Sequence, residues 1–203
     1  GEHWPKEKVV DLLRQKMIIQ TTKQLRPREI NDFYPTPIEL CSAGIVRVEL
    51  DTETPKILDP GAGQGTWGSV ARRRWPRSYL VGVELINVLK SPDYDKFHAN
   101  TDFYEWCQRS KDQFDLVMGN PPYKFAEDFV RLSMEKLKIG GVLLFLLRLA
   151  FLEGKDRAAN FWPKYKPYKI LVCSNRPSFT GNGKTDATAY SLYYWRKGYQ
   201  GKT

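Results

Sequence analysis

The chain predicts an α/β fold, an open and mostly parallel seven-stranded sheet with helices on both faces. Three observations predict it. Short apolar runs alternate with amphipathic stretches from residue 56 onward, the βαβα rhythm of a parallel sheet. The runs at 56–59 and 79–84 each end in an acidic residue, and ligands of such sheets bind beyond the carboxyl ends of the strands. With 203 residues, 41% of them hydrophobic and 27% charged, the chain can bury one substantial core.

Taken in order, residues 6–25 place Val9, Val10, Leu12, Leu13, Met17 and Ile18 at helical spacing, and Pro27 ends that helix. Residues 1–30 therefore read as an N-terminal helical extension, and 31–203 as the α/β domain. Asp32 to Pro37 is an extended loop, and 38–49 a second amphipathic helix. Strands follow at 56–59, 79–84, 96–100, 114–119, 142–147, 168–173 and 188–195. Helices are expected at 66–75, 103–109 and 125–138, the last stopped by Gly140-Gly141.

Net charge is +9, from 32 Lys and Arg against 23 Asp and Glu, which favours an anionic partner without naming it. The odd number of cysteines, Cys41, Cys107 and Cys173, and only two histidines, His3 and His98, exclude a disulfide framework or a zinc cluster. No metal is expected, and the cysteines read as buried thiols of a reducing compartment. The longest apolar stretch, Gly140 to Leu147, is far short of the ~20 residues of a membrane span, so a soluble chain is expected.

Two motifs carry chemistry. The first is Lys56-Ile57-Leu58-Asp59-Pro60-Gly61-Ala62-Gly63-Gln64-Gly65-Thr66-Trp67-Gly68. Gly61 and Gly63 let the backbone turn tightly and approach a ligand. Asp59 ahead of the loop would repel a pyrophosphate but suits a cationic amino group. About twenty residues further on, Glu84 closes a second strand where a carboxylate accepts from both hydroxyls of a ribose. Glu84 serves NAD as well as any other adenosine cofactor, so it does not choose between them.

The second motif is Asn120-Pro121-Pro122-Tyr123 after the run Phe114 to Gly119. Two prolines fix φ and push the preceding residues to extended geometry. The stiff turn presents the Asn120 side chain and neighbouring carbonyls as acceptors beside an aromatic ring, a device for gripping a planar amino group.

These motifs resemble those of amino-group methyltransferases that use S-adenosylmethionine, in particular small phage-like DNA adenine-N6 methyltransferases. The resemblance covers residues 32 to 195. It implies a Rossmann-like class I methyltransferase fold, with 31–203 as the catalytic domain. Larger members carry a target-recognition region, but the 51 residues between Gly68 and Asn120 are taken up by fold elements, so no separate target-recognition domain is expected. It also implies a site-type, adenine-specific DNA methyltransferase acting in the cytoplasm of a bacterial host or elsewhere inside a cell.

By that resemblance Asp59, Gly61 and Gly63 wrap the methionine part of the cofactor, with Tyr34 and Thr36 reaching over its end. Glu84 holds the ribose, Asp102 accepts from the adenine amino group and Phe103 lines the ring. Asp102 equally suits the N-cap of helix 103–109. Asn120 and the Pro121 carbonyl accept from the target N6 group in the turn stiffened by Pro122. Tyr123 and Phe179 sandwich a flipped adenine, while Arg148, Arg176 and Lys184 flank the opening as phosphate contacts. Few surfaces remain to read base edges, so sequence preference is expected to be short or weak. Rival acceptors of the same shape are an RNA adenine or guanine and a protein glutamine amide. A non-catalytic methyltransferase-like subunit is the rival of a different class.

Overall fold

The computed structural model describes residues 36–88, 90–174, 176–177 and 188–201. The predicted N-terminal helix, Tyr34, Phe179 and Lys184 lie outside these residues. Seven strands form one sheet: β1 (Lys56–Pro60), β2 (Tyr79–Val83), β3 (Lys96–His98), β4 (Phe114–Gly119), β5 (Leu137–Arg148), β6 (Lys169–Val172) and β7 (Tyr190–Arg196). Their order is β3-β2-β1-β4-β5-β7-β6. β7 runs antiparallel to both its neighbours, and the β1–β2, β1–β4, β2–β3 and β4–β5 pairs are parallel. The α/β prediction with a mostly parallel seven-stranded sheet holds.

The helices are α1 (Ile38–Ile45), α2 (Thr66–Arg74), α3 (Phe103–Arg109) and α4 (Ala126–Lys136). They divide between the two faces because successive strand residues point to opposite sides. Leu116, Met118, Leu144 and Leu146 pack with Cys41 and Ile45 of α1 and with Trp67, Val70 and Ala71 of α2. The intervening Val117, Leu143, Phe145 and Leu147 pack with Phe103 and Trp106 of α3 and Val130 of α4. Burial on both faces is why the strands read as continuous apolar runs rather than alternating ones. Each such side chain contributes about 1.5–3 kcal/mol before the entropy of ordering it is set against that.

Local chemistry places the helix ends. Gly65 enters α2 at φ 90°, and Arg72, Arg73 and Arg74 end it where basic charge suits the dipole. Asp102 caps α3 by accepting from the Glu105 amide at 3.0 Å.

One boundary departs from expectation. Gly140-Gly141 does not stop a helix; α4 ends at Lys136, and β5 begins at Leu137. Leu137 is fully buried and pairs with Phe114, after which the register jumps so that Leu116 meets Val142. The extra residues form a bulge with Gly140 at φ 81°. Lys138 anchors it to Asp115 at 2.8 Å, and Gly140 and Gly141 bond Lys197. Burial of one leucine thus outweighs the local glycine signal. Helix α1 is also shorter than expected, ending at Ile45. Among the described residues no helix is long and apolar enough to cross a membrane.

Candidate active site

The chain runs from β1 outward through β2 to β3, then crosses back to β4 on the other side of β1. Ligands of open α/β sheets lie in the crevice opened by such a reversal. The two motifs end the two strands that flank it.

At the β1 end, the Gly61 and Ala62 amides donate to the Val83 carbonyl at 2.8 and 3.1 Å, pinning the loop to β2. Gly61 has φ 77°, and a Cβ built on it would meet nothing within 4 Å, so its surface is open to a ligand. Glu84, 6% exposed, accepts from the Gly63 amide at 2.8 Å through Oε2 and from the Ile86 amide at 3.1 Å through Oε1. Each carboxylate oxygen has a second lone-pair site, so the residue can brace the loop and still accept from a ligand.

Asp59 is 1% exposed. Its Oδ2 accepts from the Tyr94 hydroxyl at 2.6 Å, while its Oδ1 is buried with no hydrogen-bond partner. Burial raises its pKa to about 7, the Tyr94 hydrogen bond opposes that rise, and the nearby Glu84 adds to it. A Cβ on Gly119 of β4 would come within 2.9 Å of that Oδ1. Glycine there lets the second strand end directly against the carboxylate.

Thr36 is buried, and its hydroxyl oxygen accepts from the Trp67 indole at 3.2 Å. Trp67, which has no role assigned from sequence, is a core residue that ties the segment before α1 to the start of α2. Phe103 is 5% exposed and packs against Trp106 and Phe129, with ring centres 6.2 and 5.0 Å away. For Asp102 the structure shows the N-cap bond.

At the β4 end, Pro121 is buried, Pro122 exposed, and Asn120 and Tyr123 half-buried. The Asn120 Oδ1 is buried and has no hydrogen-bond partner. An acceptor left this way costs about 1–3 kcal/mol, which the fold sustains at both strand ends. Burial holds the Tyr123 hydroxyl above its usual range, the neighbouring Tyr190 adds to that rise, and the Asn120 side chain opposes it. The Tyr190 ring lies 5.6 Å from the Tyr123 ring, and the Arg148 guanidinium sits 5.0 Å from its centre. Arg148 is exposed at the end of β5 and pairs in register with Tyr190 of β7. Arg176 is exposed.

Sequence reasoning missed Tyr94; it placed Arg148 at the opening as a phosphate contact but missed its pairing with Tyr190 beside the Tyr123 ring. Tyr94 sits in a polar connection and carries no local signal. Arg148 and Tyr190 end strands that were legible, but only the antiparallel pairing of β5 with β7 brings them to Tyr123.

No family model matches the chain. It is 26% identical over 151 residues to the modification methylase CviBIII of Paramecium bursaria Chlorella virus NC1A, covering 62% of this chain and 39% of that one. It is 32% identical over 79 residues to a tRNA1(Val) (adenine(37)-N6)-methyltransferase of Yersinia pestis, covering 34% of this chain and 32% of the other. The chain thus spans about two fifths or less of the length of these curated relatives. Among solved structures it resembles a proposed class I S-adenosylmethionine-dependent methyltransferase of Listeria monocytogenes, with a TM-score of 0.58 and 15% identity. That match covers 96% of this chain and 69% of that one. The resemblance drawn from the two motifs holds, and the chain has the Rossmann-like fold of the class I methyltransferases.

Proposed function

We propose that the protein transfers a methyl group from S-adenosylmethionine to the exocyclic N6 amino group of adenine in nucleic acid, with DNA as the leading substrate. One observation carries this reading. The unpartnered Asn120 Oδ1 stands on a proline-stiffened turn, and Gly119 seats that turn directly against Asp59 and the glycine loop.

The residues present fit the cofactor. Asp59 offers a buried acceptor with no partner to a cationic amino group, Gly61 leaves open space, and Glu84 retains acceptor sites for a ribose. Bound S-adenosylmethionine supplies an electrophilic methyl group on a sulfonium sulfur. The chain's own task is then to orient the target nitrogen. Adenine N6 is a weak nucleophile because its lone pair is delocalised into the ring. Asn120 Oδ1 and the Pro121 carbonyl, accepting from its two N–H bonds, favour a pyramidal nitrogen with its lone pair localised. Interactions made more strongly in that geometry than in the planar one accelerate transfer. Tyr123 offers a ring face to an unstacked base, with Arg148 beside it to hold a neighbouring phosphate.

RNA is the second reading, favoured by the match to a tRNA adenine-N6 methyltransferase. The test is incubation with methyl-labelled cofactor and separate DNA, RNA and protein acceptors, followed by nucleoside analysis. Label in N6-methyladenine of DNA is expected. Label confined to RNA replaces the leading substrate by the second, and label in protein alone refutes both.

A further inference from the structure

Tyr94 lies on the connection between β2 and β3 and is 2% exposed. Three glycines make room for it. A Cβ at Gly65, Gly68 or Gly82 would stand 3.0, 2.4 or 3.1 Å from its ring. Two of these belong to the glycine loop, so part of that loop's composition accommodates an aromatic ring rather than a ligand. The Tyr94 hydroxyl donates to Asp59 Oδ2 at 2.6 Å. A carboxylate with only a structural task would have both oxygens satisfied, since buried polar atoms nearly always are. Here Oδ2 is held and Oδ1 is left without a partner.

We propose that Tyr94 is a positioning residue for the ligand site: its hydroxyl locks the Asp59 carboxylate so that Oδ1, beside Gly119, is held ready to accept from the amino group of the ligand. The proposal rests on the cofactor reading above and names the residue that prepares it.

The groups facing Asp59 are Tyr94, Glu84 at the end of β2 and Cys41 on α1. Burial and the neighbouring Asp59 push the Tyr94 hydroxyl well above its ordinary range, so it remains a donor. Burial, with a smaller push from Asp59, does the same to the Cys41 thiol, which stays neutral. Asp59 is then the member that changes state near neutrality, with its pKa raised to about 7. Below that pH it carries a proton and no longer offers a charged acceptor, so affinity for an amino-bearing ligand falls as pH drops through about 7. Removing the Tyr94 hydroxyl removes a contact that favours the charged form, so the acid limb moves to higher pH.

The test is calorimetry with two probes, S-adenosylhomocysteine, which has the amino group, and 5′-methylthioadenosine, which lacks it. For Tyr94→Phe the affinity for the first probe at pH 7.5 should fall about tenfold, with its acid limb moved up by about one pH unit. The affinity for the second should stay unchanged. Equal losses for both probes, or an unmoved acid limb, overturn the positioning role. Asp59→Asn keeps a partner for Tyr94 and should bind the first probe weakly with no acid limb; a persisting limb also overturns the proposal. Failure of the wild-type protein to bind either probe removes the cofactor reading, and this role with it.

Discussion

The two strand ends that meet at the crevice are built on different terms. At β1 the site is a backbone cradle, in which amides of Gly61, Ala62 and Gly63 are tied to Val83 and Glu84 and the ring of Tyr94 fills the space beneath. At β4 it is a set of half-buried side chains, Asn120 and Tyr123, steadied by Tyr190 and Arg148 from strands far along the chain. The first suits a ligand of constant shape, since main-chain geometry tolerates little adjustment. The second suits the proposed nucleic-acid substrate, since side chains can adjust to an arriving base. Both retain one unpartnered acceptor, Asp59 Oδ1 and Asn120 Oδ1. Stability is sacrificed at both ends for a place where a donor can arrive.

If the division is sound, substitutions at the two ends should affect different measurements. The largest effect is expected for Asn120→Ala, which should lower single-turnover transfer by at least about a hundredfold. Cofactor affinity by calorimetry should stay within about twofold, because nothing at the β1 end is disturbed. A parallel loss of cofactor binding would show that the two ends act as one unit.

Glu84→Ala should do the reverse. Losing charge-assisted hydrogen bonds worth about 1.5–3 kcal/mol weakens cofactor binding by about ten- to a hundredfold, with transfer at saturating cofactor near normal. Rate against cofactor concentration separates the two parameters.

Stability should also respond unequally. Gly68→Ala places a Cβ 2.4 Å from the Tyr94 ring, an overpacking that costs about 1–3 kcal/mol and is read as a lowered denaturation midpoint. Asp59→Asn should stabilise the protein at pH 8, by about 1–3 kcal/mol after discounting for relaxation. Its carboxyl titrates near 7 in the fold against 3.8 ordinarily. The folded state therefore binds its proton more tightly than the unfolded chain does. The cost of the charge is absent below the ordinary value, grows as pH rises between the two, and is complete above about 7. Urea unfolding of both forms at pH 4 and pH 8 should show a gap only at the higher pH. The smallest effect is expected for Arg148→Ala. Loss of an exposed cation–π contact of about 0.5–1 kcal/mol should raise the nucleic-acid KM a few-fold and leave cofactor affinity unchanged.

The amino-acid sequence by itself determined the strands, the helical stretches and the two motifs, because each is a local pattern. β1 and β4 are apolar runs closed by Asp59-Pro60-Gly61 and Gly119-Asn120-Pro121, and these residues control backbone geometry within a few positions of themselves. Asn120 could be named as an acceptor on the same ground, since two prolines stiffen the turn whatever surrounds it. The tertiary structure decided which partners those residues keep. Tyr94 reaches Asp59 across 35 positions, Trp67 reaches Thr36 across 31, and Arg148 and Tyr190 meet Tyr123 only after β5 and β7 pair. The start of β5 was settled in the same way, when burial of Leu137 against β4 overrode the stop suggested by Gly140-Gly141. Backbone preferences act over a turn or two of chain and can be read from neighbours. Burial and hydrogen-bond satisfaction act between whichever groups the sheet order brings together, and that order is a property of the folded chain.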